Sequence, residues 1–293
     1  MYEYVTEHKE KEGTPTMGGL IFVLSAVIVF IVFGGAKGRI ATVGMVIGLS
    51  FMLVGFLDDF IKVRFKHNKG LKGYQKIIFQ TAIALFAGTF AVKNGLTIFH
   101  IPFTQKTIDL GYFSVPIIAF IFIAITNSVN LTDGLDGLAG SVSLVYLTIV
   151  TLLIGVQLSV LNHLYFDEHE YKMLQLLSCT LIGGIAGFLL FNTYRAKVFM
   201  GDTGSLSIGG FIGAISIFSS NSFFVPIIGI MFVTSSISVI MQVARFKHNG
   251  KRFFLKAPLH HHFQLKGSSE SSIAYAYSLI TALCGTACII GYL

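Results

Sequence analysis

The composition of the chain is far from that of a soluble globular domain. Of its 293 residues, 54% are hydrophobic and 12% are charged, and the mean hydropathy is +0.76. Soluble domains carry roughly 25% charged residues. The formal net charge of +7 would suit a nucleic acid, but basic residues beside membrane spans more often set orientation, so we exclude nucleic acid as a partner. The composition predicts an all-α, polytopic membrane helical bundle.

Nine apolar segments follow one another along the chain, and each is long enough to approach the span of about 20 residues that a hydrocarbon core of about 30 Å requires. Short connections join them, without a low-complexity linker, so residues 1–293 are predicted to form a single integral-membrane domain. The three cysteines lie inside apolar segments, where we interpret them as small core residues. The predicted spans are 17–36, 41–57, 75–92, 114–131, 137–157, 173–191, 203–219, 223–243 and 271–292.

The basic residues are divided unequally between the two sets of loops. If residues 1–16 face the cytosol, the loops on that side hold 16 of the 21 Lys and Arg residues. The positive-inside rule then predicts a cytosolic start and an external C-terminus. The polar first residues do not resemble a cleavable signal peptide. On the external side, the loop 93–113 has two short runs of β-forming residues around Pro102 and Lys106, which predict a small hairpin.

Five acidic residues lie at or beside the predicted cytosolic ends of the spans. Ionisable groups so close to a bilayer are costly, and they indicate a functional site. Asp136 and Asp202 each precede a span, so each is equally a candidate helix N-cap, worth about 1 kcal/mol. The five are Asp58, Asp59, Asp133, Asp136 and Asp202.

Asp58 and Asp59 do not fit the capping interpretation. They follow the span 41–57 at its C-terminal end, where the helix dipole disfavours anions. Lys62 lies four residues after Asp58, on the same helical face, and it offsets one of the two charges. A divalent cation or a basic group of a substrate would complete the balance.

The segment TNSVNLTDGLDGLAG combines amides, carboxylates and glycines. Every third residue here is polar, which predicts that Asn127, Asn130 and Asp133 share one helix face. Gly134 has no side chain, so a ligand can approach its backbone closely. Such groups suit a phosphate that carries magnesium, since Mg²⁺ takes oxygen ligands. The segment VFMGDTGSL looks like a phosphate-binding loop but lacks the Gly-Lys-Ser/Thr that defines one.

Three consecutive histidines, residues 260–262, follow the basic and aromatic segment that begins at residue 244. A zinc site is disfavoured because no second ligand cluster accompanies them and the nearby acids favour a hard cation. A simpler interpretation of residues 244–270 is a basic anchor at the membrane interface.

Five motifs, read together, closely resemble the phospho-N-acetylmuramoyl-pentapeptide transferases of the polyprenyl-phosphate N-acetylhexosamine-1-phosphate transferase superfamily. They agree in order over nearly the whole chain. The last one is similar to the muramoyl-pentapeptide branch and not to the N-acetylglucosamine branch. The motifs are EHKEKEGTPTMGG (7–19), FLDDFIK (56–62), NSVNLTDGLDGLAG (127–140), FNTYRAKVFMGDTGSL (191–206) and APLHHHF (257–263).

The resemblance implies an Mg²⁺-dependent enzyme of the bacterial inner (plasma) membrane with its active site facing the cytosol. It would transfer phospho-N-acetylmuramoyl-pentapeptide from UDP-N-acetylmuramoyl-pentapeptide to undecaprenyl phosphate. The products would be UMP and lipid I, in the first membrane step of peptidoglycan synthesis. The expected partners are these two substrates and membrane lipid, and a homodimer is a further expectation.

The resemblance also implies roles for individual residues. Asp202 would be the main Mg²⁺ ligand, Asp58 and Asp59 the essential acidic pair, and Lys62 would lie close to the lipid phosphate. His261 would act with the acids, at the mouth of the site and against the diphosphate or the sugar. The other residues implied to bind substrate are Lys11, Thr16, Asn130, Asp133, Gly134, Asp136, Asn192, Phe199, His260 and His262, with Phe199 on uracil.

The chain departs from the family pattern in four places. The family has ten spans, and the first of them has no counterpart among the nine predicted here. Arg195 stands in place of a usual proline, Gln264 in place of a usual acid, and Ser268 in place of a frequent tryptophan. These substitutions concern local geometry and leave the implied reaction unchanged.

Alternative interpretations remain for the reaction and for the class of protein. The lipid phosphate would attack the sugar-linked phosphorus directly, and a covalent aspartyl-phosphate route is the alternative mechanism. An N-acetylglucosamine-1-phosphate transferase is the alternative enzyme. An ion-coupled transporter is the alternative from a different class, although its site should lie near the membrane midplane between internal repeats.

Overall fold

The computed structural model describes residues 13–34, 37–65, 70–104, 106–160 and 167–292. Within these ranges the chain is a bundle of helices with one two-stranded sheet, which confirms the predicted all-α membrane fold. The elements are α1 Gly19–Gly34, α2 Arg39–Arg64, α3 Gly73–Lys93, β1 Ile98–His100, β2 Thr107–Asp109, α4 Ser114–Thr132, α5 Leu138–Val160, α6 Glu168–Asn192, α7 Gly201–Phe218, α8 Val225–Ile228, α9 Ile230–Asn249, α10 Leu259–Leu265 and α11 Glu270–Ile290.

Each of the nine predicted spans forms helix, and seven of the helices are long and apolar enough to cross a membrane: α2, α3, α4, α5, α6, α9 and α11. Helix α1 is apolar but has only 16 residues. The span predicted over 223–243 is interrupted. A 3₁₀ turn and the short α8 precede Gly229, which ends α8 and stands before the first residue of α9. Pro226 lies in the first turn of α8, where its missing N–H costs nothing.

Helix α7 forms the centre of the bundle. Every residue from Thr203 to Phe218 is buried, and the helix packs along α2, α4 and α1. Small residues allow this, because helices that lack bulky side chains at the contact approach closely. Side chains of the neighbouring helices fill the space that its glycines leave, such as Phe51 against Gly210 and Phe122 against Gly213. The central helix therefore holds a fixed position against its neighbours.

Asp58 and Asp59 were predicted to follow the second span, but the structure places them inside α2. The helix does not end at residue 57 but continues to Arg64, with Lys62 and Arg64 in its last turn. Asp58 and Asp59 consequently lie inside the helix, and the dipole argument for them was wrong, since that effect is confined to the last turn. The compensating charge for the two acids has to come from other side chains.

The opposite end of the bundle carries the predicted hairpin, which the structure confirms. Strands β1 and β2 pair antiparallel, with Ile98 opposite Asp109. At this end Glu170 of α6 accepts hydrogen bonds from the backbone N–H groups of Arg39 and Ile40, at 2.8 and 2.9 Å. A carboxylate from one helix thus caps the N-terminus of another, where the helix dipole favours an anion.

We expect Gly55→Ala to destabilise the protein. Gly55 faces the first turn of α7, and an added Cβ would overlap the carbonyl oxygen of Asp202. Overpacking of this kind costs about 1–3 kcal/mol, so the melting temperature of the detergent-solubilised protein should fall. Gly183→Ala is the matched control, because no atom lies within 4 Å of a Cβ at that position in α6. Equal melting temperatures for the two variants would contradict the close approach of α2 and α7.

Candidate functional site

Three helices bring a cluster of carboxylates and ammonium groups together. Lys62 Nζ of α2 lies 2.5 Å from Asp58 Oδ2, 3.4 Å from Asp59 Oδ1 and 3.3 Å from Asp202 Oδ2. Lys76 Nζ of α3 lies 3.0 Å from Asp58 Oδ2 and 2.5 Å from Asp202 Oδ2. The predicted Asp58–Lys62 pair is therefore present, and the formal charges of the five groups sum to −1.

Asp58 and Asp59 are both buried and fixed by hydrogen bonds. The backbone N–H of Leu71 donates to Asp58 Oδ1 at 2.7 Å. Asp59 Oδ2 accepts from the backbone N–H of Thr203 at 2.9 Å and from its hydroxyl at 2.7 Å. Asp59 thus joins α2 to the first turn of α7 through the two donors of Thr203, while its other oxygen, Oδ1, faces Lys62.

Asp202 lies in the first turn of α7 but is not its N-cap. The capping position is Met200, and no side chain caps the helix, so the capping interpretation of Asp202 was wrong. Asp202 Oδ1 instead accepts from Asn130 Nδ2 at 2.9 Å, while Oδ2 faces the two lysines. An anion in the first turn is favourable with the helix dipole. Its side chain is 18% exposed, against 1% for Asp58.

Asp136 is not the N-cap of α5, because the helix begins at Leu138 and Gly137 directly precedes it. Its Oδ2 accepts from the backbone N–H of Ala196 at 3.0 Å, and its own N–H donates to Glu270 Oε2 at 2.8 Å. The next residue, Gly137, donates to Asn192 Oδ1 at 3.2 Å. The capping interpretation was therefore wrong for Asp136 also. The loop between α4 and α5 is tied to three other segments, which fixes the residues that precede Asp136.

Asp133 follows the last residue of α4 on the same loop. Desolvation by the surrounding protein, followed by the negative charges of Asp202, Asp59 and Asp136, raises the pKa of Asp133 to about 8. A carboxyl group with a raised pKa takes up a proton more readily than an ordinary aspartate does. A protonated carboxyl donates one hydrogen bond, whereas a carboxylate only accepts.

A cavity of about 480 Å³ opens beside the cluster. Nine residues that the sequence analysis assigned to the site line it, together with four that it did not. The lining residues are Thr16, Asp59, Lys62, Val63, Asp133, Gly134, Leu135, Asp136, Asn192, Phe199, Met200, Gly201 and Asp202.

Phe199 and Asn192 occupy the wall formed by the connection between α6 and α7. The backbone N–H of Phe199 donates to the carbonyl oxygen of Pro15 at 2.8 Å, and the carbonyl oxygen of Phe199 accepts from the backbone N–H of Gly18 at 2.9 Å. Asn192 Nδ2 donates to the carbonyl oxygen of Val198 at 2.8 Å. The segment before α1 thus fixes the backbone that carries the half-buried ring of Phe199.

The remaining predicted residues lie beside the cavity or outside the described ranges. Asp58 does not line the cavity but pairs with Lys62 and Lys76. Asn130 Nδ2 donates hydrogen bonds to Asp202 Oδ1 and to the hydroxyl of Ser205, at 2.9 Å each. Lys11 lies outside the described residues. Asn127 and Asn130 lie three residues apart on α4, and Asp133 directly follows this helix. Asn127 does not join the cluster, because its Nδ2 donates to Gln80 of α3 at 2.7 Å.

The three histidines of α10 have different surroundings. The buried His260 packs directly on Gly134, where an added Cβ would overlap its Nε2, and His261 Nε2 would lie 3.1 Å from the same Cβ. Burial, then the charges of His261 and Lys256, lowers the pKa of His260 to about 3, so this ring is neutral. His262 Nδ1 accepts from the backbone N–H of Leu255 at 3.2 Å. None of the three is among the residues that line the cavity.

Sequence reasoning missed Lys76, which supplies the second cation of the cluster. A usable signal was present: Lys76 is a cation within the first turn of an apolar span whose start lies at the same membrane end as the acids. Sequence reasoning also missed Thr203, because a hydroxyl that bonds one carboxylate has no sequence pattern of its own.

The carboxylates fit a divalent cation by their chemistry. One oxygen from each of Asp58, Asp59 and Asp202 can be chosen so that all three lie within 4.8 Å of one another. Carboxylate oxygens are the ligands that hard divalent cations prefer. Asp202 and Asp59 line the cavity, so they are the carboxylates that an entering ion meets.

The chain is similar to proteins of one family over most of its length. The model of glycosyl transferase family 4 matches residues 40–220, and phospho-N-acetylmuramoyl-pentapeptide-transferase signature 1 matches residues 11–23. The phospho-N-acetylmuramoyl-pentapeptide-transferase of Thermoanaerobacter sp. (strain X514) is 41% identical over 277 residues, which are 94% of this chain and 83% of that protein. The protein of the same name from Clostridium novyi (strain NT) is 40% identical over 290 residues, or 98% of this chain and 84% of that protein.

A third relative, from Clostridium perfringens (strain SM101 / Type A), is 41% identical over 276 residues, which cover 94% of this chain and 82% of the relative. Identity of this level over nearly the whole chain includes the helices that carry the carboxylates, the lysines and the histidines. The chain therefore belongs to glycosyl transferase family 4 and, within it, to the phospho-N-acetylmuramoyl-pentapeptide-transferases.

Proposed function

We propose that this multi-pass bacterial membrane enzyme transfers phospho-N-acetylmuramoyl-pentapeptide from its UDP carrier to undecaprenyl phosphate, with Mg²⁺, and so forms lipid I and UMP. The observation that carries the proposal is the cluster of three carboxylates and two lysines beside a cavity at one end of the bundle. Such a cluster can hold a divalent cation and phosphate groups together. The family to which the chain belongs supports the choice of substrates.

The cavity wall suits the nucleotide. Phe199 offers a ring on which uracil stacks, and base stacking on an aromatic side chain is worth about 1–3 kcal/mol. Asp133 lines the same wall and, in its protonated form, would donate a hydrogen bond to a carbonyl oxygen of the base or to a ribose oxygen. Thr16, Gly134 and Asn192 complete this wall, and Lys11 is proposed to reach the same substrate.

Lys62 suits the acceptor phosphate. Lys62 is 35% exposed and lines the cavity, so it can pair with an incoming phosphate without leaving Asp58. A phosphate monoester has a second pKa near 6 and is mostly ionised at neutral pH. A strong general base is therefore hardly needed, and direct attack of the lipid phosphate on the sugar-linked phosphorus is the favoured route.

Asp58 is better suited to positioning than to covalent catalysis. Its Oδ1 accepts from the Leu71 N–H, and its Oδ2 is paired with both Lys62 and Lys76. A nucleophilic carboxylate must present an oxygen to phosphorus, and Asp58 does not line the cavity. These contacts support the direct route over an aspartyl-phosphate intermediate.

Asp202 is proposed as the main Mg²⁺ ligand, with Asp59 beside it. When bound, Mg²⁺ would neutralise charge on the diphosphate, as in other phosphoryl transfers. Asn130 holds Asp202 Oδ1 at 2.9 Å and so fixes the plane of the carboxylate. The lysines that pair with Oδ2 would shift toward the substrate phosphates as those enter.

We propose that the carboxylate end of the bundle faces the cytosol, because the loops at that end carry most of the Lys and Arg residues. A cysteine introduced at Lys251 should react only with a reagent supplied from the cytosolic side. One introduced at Glu168, at the other end of the bundle, should react only from outside. Both positions are exposed. Labelling in the reverse pattern would overturn the proposed orientation.

The reaction is tested by release of UMP from UDP-N-acetylmuramoyl-pentapeptide by the purified protein. UMP should appear only when both undecaprenyl phosphate and Mg²⁺ are present. UDP-N-acetylglucosamine in place of the muramoyl substrate should give no UMP. If UMP is formed from UDP-N-acetylglucosamine and not from the muramoyl substrate, the enzyme is instead an N-acetylglucosamine-1-phosphate transferase. A phosphorylated protein trapped without acceptor would favour the covalent route.

We expect Asp202→Asn to keep the fold and lose turnover. Asn keeps the shape of the side chain but removes the charge on which Mg²⁺ and the lysines depend. Binding of Mn²⁺, followed by electron paramagnetic resonance as a probe of the site, should weaken by at least about tenfold, which corresponds to about 1.4 kcal/mol.

Asp167→Asn is the matched control for this substitution. Asp167 caps α6 at the other end of the bundle, where its side chain accepts from the His169 N–H. Asn caps a helix about as well as Asp, so stability, turnover and Mn²⁺ binding should all be retained. Normal turnover of Asp202→Asn across a magnesium titration would refute the metal assignment.

A further inference from the structure

The second half of α9 projects from the helical bundle and carries exposed apolar side chains. All the buried residues of this helix lie in its first half, between Met231 and Ser238. Farther along, Ile240, Val243 and Phe246 are 66%, 46% and 55% exposed. They recur every three residues, so they lie along one side of the helix. This half of α9 therefore has an apolar side that the bundle does not cover, and the proposed transfer gives that side no role.

The same part of the chain is strongly basic. Residues 239–269 contain six Lys and Arg residues and no Asp or Glu. Lys247 lies in the last turn of α9, and Arg252 lies in the segment that follows the helix. In the part of the chain that the structure describes, neither of these two side chains pairs with a carboxylate. The projecting surface therefore carries positive charge that the protein itself does not neutralise.

The location of this surface suits the headgroup layer of a membrane. Ser238 Oγ of α9 accepts from the backbone N–H of Leu259 at 3.0 Å, and the helix that begins at Leu259 packs on Gly134. The projecting half of α9 thus lies at the same end of the bundle as the carboxylate cluster. An apolar side combined with basic residues is typical of segments that lie in the interface of a membrane with anionic lipids, as in the basic anchor considered for residues 244–270.

A groove of about 510 Å³ lies between α9 and the segment 250–257. Three hydrogen bonds hold this segment against the helix. Gln242 Oε1 accepts from the backbone N–H groups of Phe253 and Phe254 at 2.9 Å each, and Gln242 Nε2 donates to the carbonyl oxygen of Phe254 at 3.2 Å. The groove is therefore preformed. Apolar side chains and cations line it together, and among them are Val239, Val243, Phe246, Lys247, Arg252 and Lys256.

We propose that the groove between α9 and residues 250–257 binds an anionic phospholipid from the adjacent leaflet of the membrane. Val243 and Phe246 would contact the first methylene groups of an acyl chain, and Lys247 and Arg252 would pair with the phosphate. A phosphatidylglycerol headgroup keeps its net negative charge, whereas the ammonium group of phosphatidylcholine neutralises its own phosphate. The groove should therefore prefer the anionic lipid. No residue lines both this groove and the cavity beside the carboxylate cluster, which distinguishes this site from that of the proposed transfer.

The preference is tested by quenching of a single tryptophan. The chain contains no tryptophan, so Phe246→Trp introduces one in the groove alone. The full chain is reconstituted in vesicles of phosphatidylcholine and phosphatidylglycerol, and one of the two lipids carries brominated acyl chains, which quench tryptophan on contact. Phosphatidylglycerol should bind at least about fivefold more strongly than phosphatidylcholine at low salt, and added salt should weaken this preference by screening the charges. Val243→Trp is a second reporter in the same groove.

Substitution of single cations tests the groove itself. In the Phe246→Trp protein, Lys247→Gln and Arg252→Gln should each lower the preference for phosphatidylglycerol about three- to fivefold, the size of one cation near an anionic surface. Lys251→Gln is the matched control, because it removes the same charge from a neighbouring residue that is exposed but does not line the groove. It should lower the preference less than about twofold. Phe86→Trp, on the exposed side of α3, should be quenched equally by both lipids.

Four results would overturn the proposal. Equal quenching by the two lipids at both groove reporters would show that the groove has no preference for an anionic lipid. Equal effects of Lys251→Gln and Arg252→Gln would show attraction by the general surface charge and not by the groove. Quenching by neither lipid would show that protein covers the groove, such as a second copy of the chain. Relief of phosphatidylglycerol quenching by added undecaprenyl phosphate would assign the groove to the acceptor lipid. None of these measurements requires turnover, so failure of the proposed function would leave them unchanged.

Discussion

The site depends on how closely α2 and α7 approach each other. Gly55 leaves room for the carbonyl oxygen of Asp202, and Gly19 of α1 leaves room for the backbone of Gly204 on the other side of the same turn. Without these contacts, the first turn of α7 would stand farther from Asp59, and the bonds from Thr203 would be lost. In a membrane, where apolar burial gives little drive for helices to associate, small residues make such packing possible.

The close approach puts three carboxylates in one place, and this arrangement needs compensation. Lys62 and Lys76 provide two charges, and neutral donors from Leu71, Thr203 and Asn130 provide the rest. The three carboxylates and two lysines together keep a formal charge of −1. Under the proposed function, the small negative excess beside the cavity would attract a divalent cation, and Lys62 would also pair with phosphate. The same cluster can therefore serve a metal and an anionic lipid head group.

The helices and the acids at the span ends could be predicted because apolar length and charged residues at span ends are local features. Thr16, Asn192 and Phe199, which also line the cavity, were implied only by the family resemblance. It failed where the answer depends on contacts between distant segments. Whether Asp202 caps α7 or faces the lysines cannot be read from its position before a span, since both roles place an acid there. Asn127 differs from Asn130 only in what lies opposite each of them, Gln80 for the first and Asp202 for the second.

Gln264 illustrates how a departure from a family pattern acquires a physical meaning. The family resemblance described above implies an acid at this position. A carboxylate there could accept from His261, but it would lie beside the buried carboxylate of Glu270, and like charges at that distance raise the free energy of both. An amide avoids this, because one of its atoms accepts while the other donates. In this chain, the neutral Gln264 side chain lies between His261 and Glu270 and can satisfy both neighbours at once.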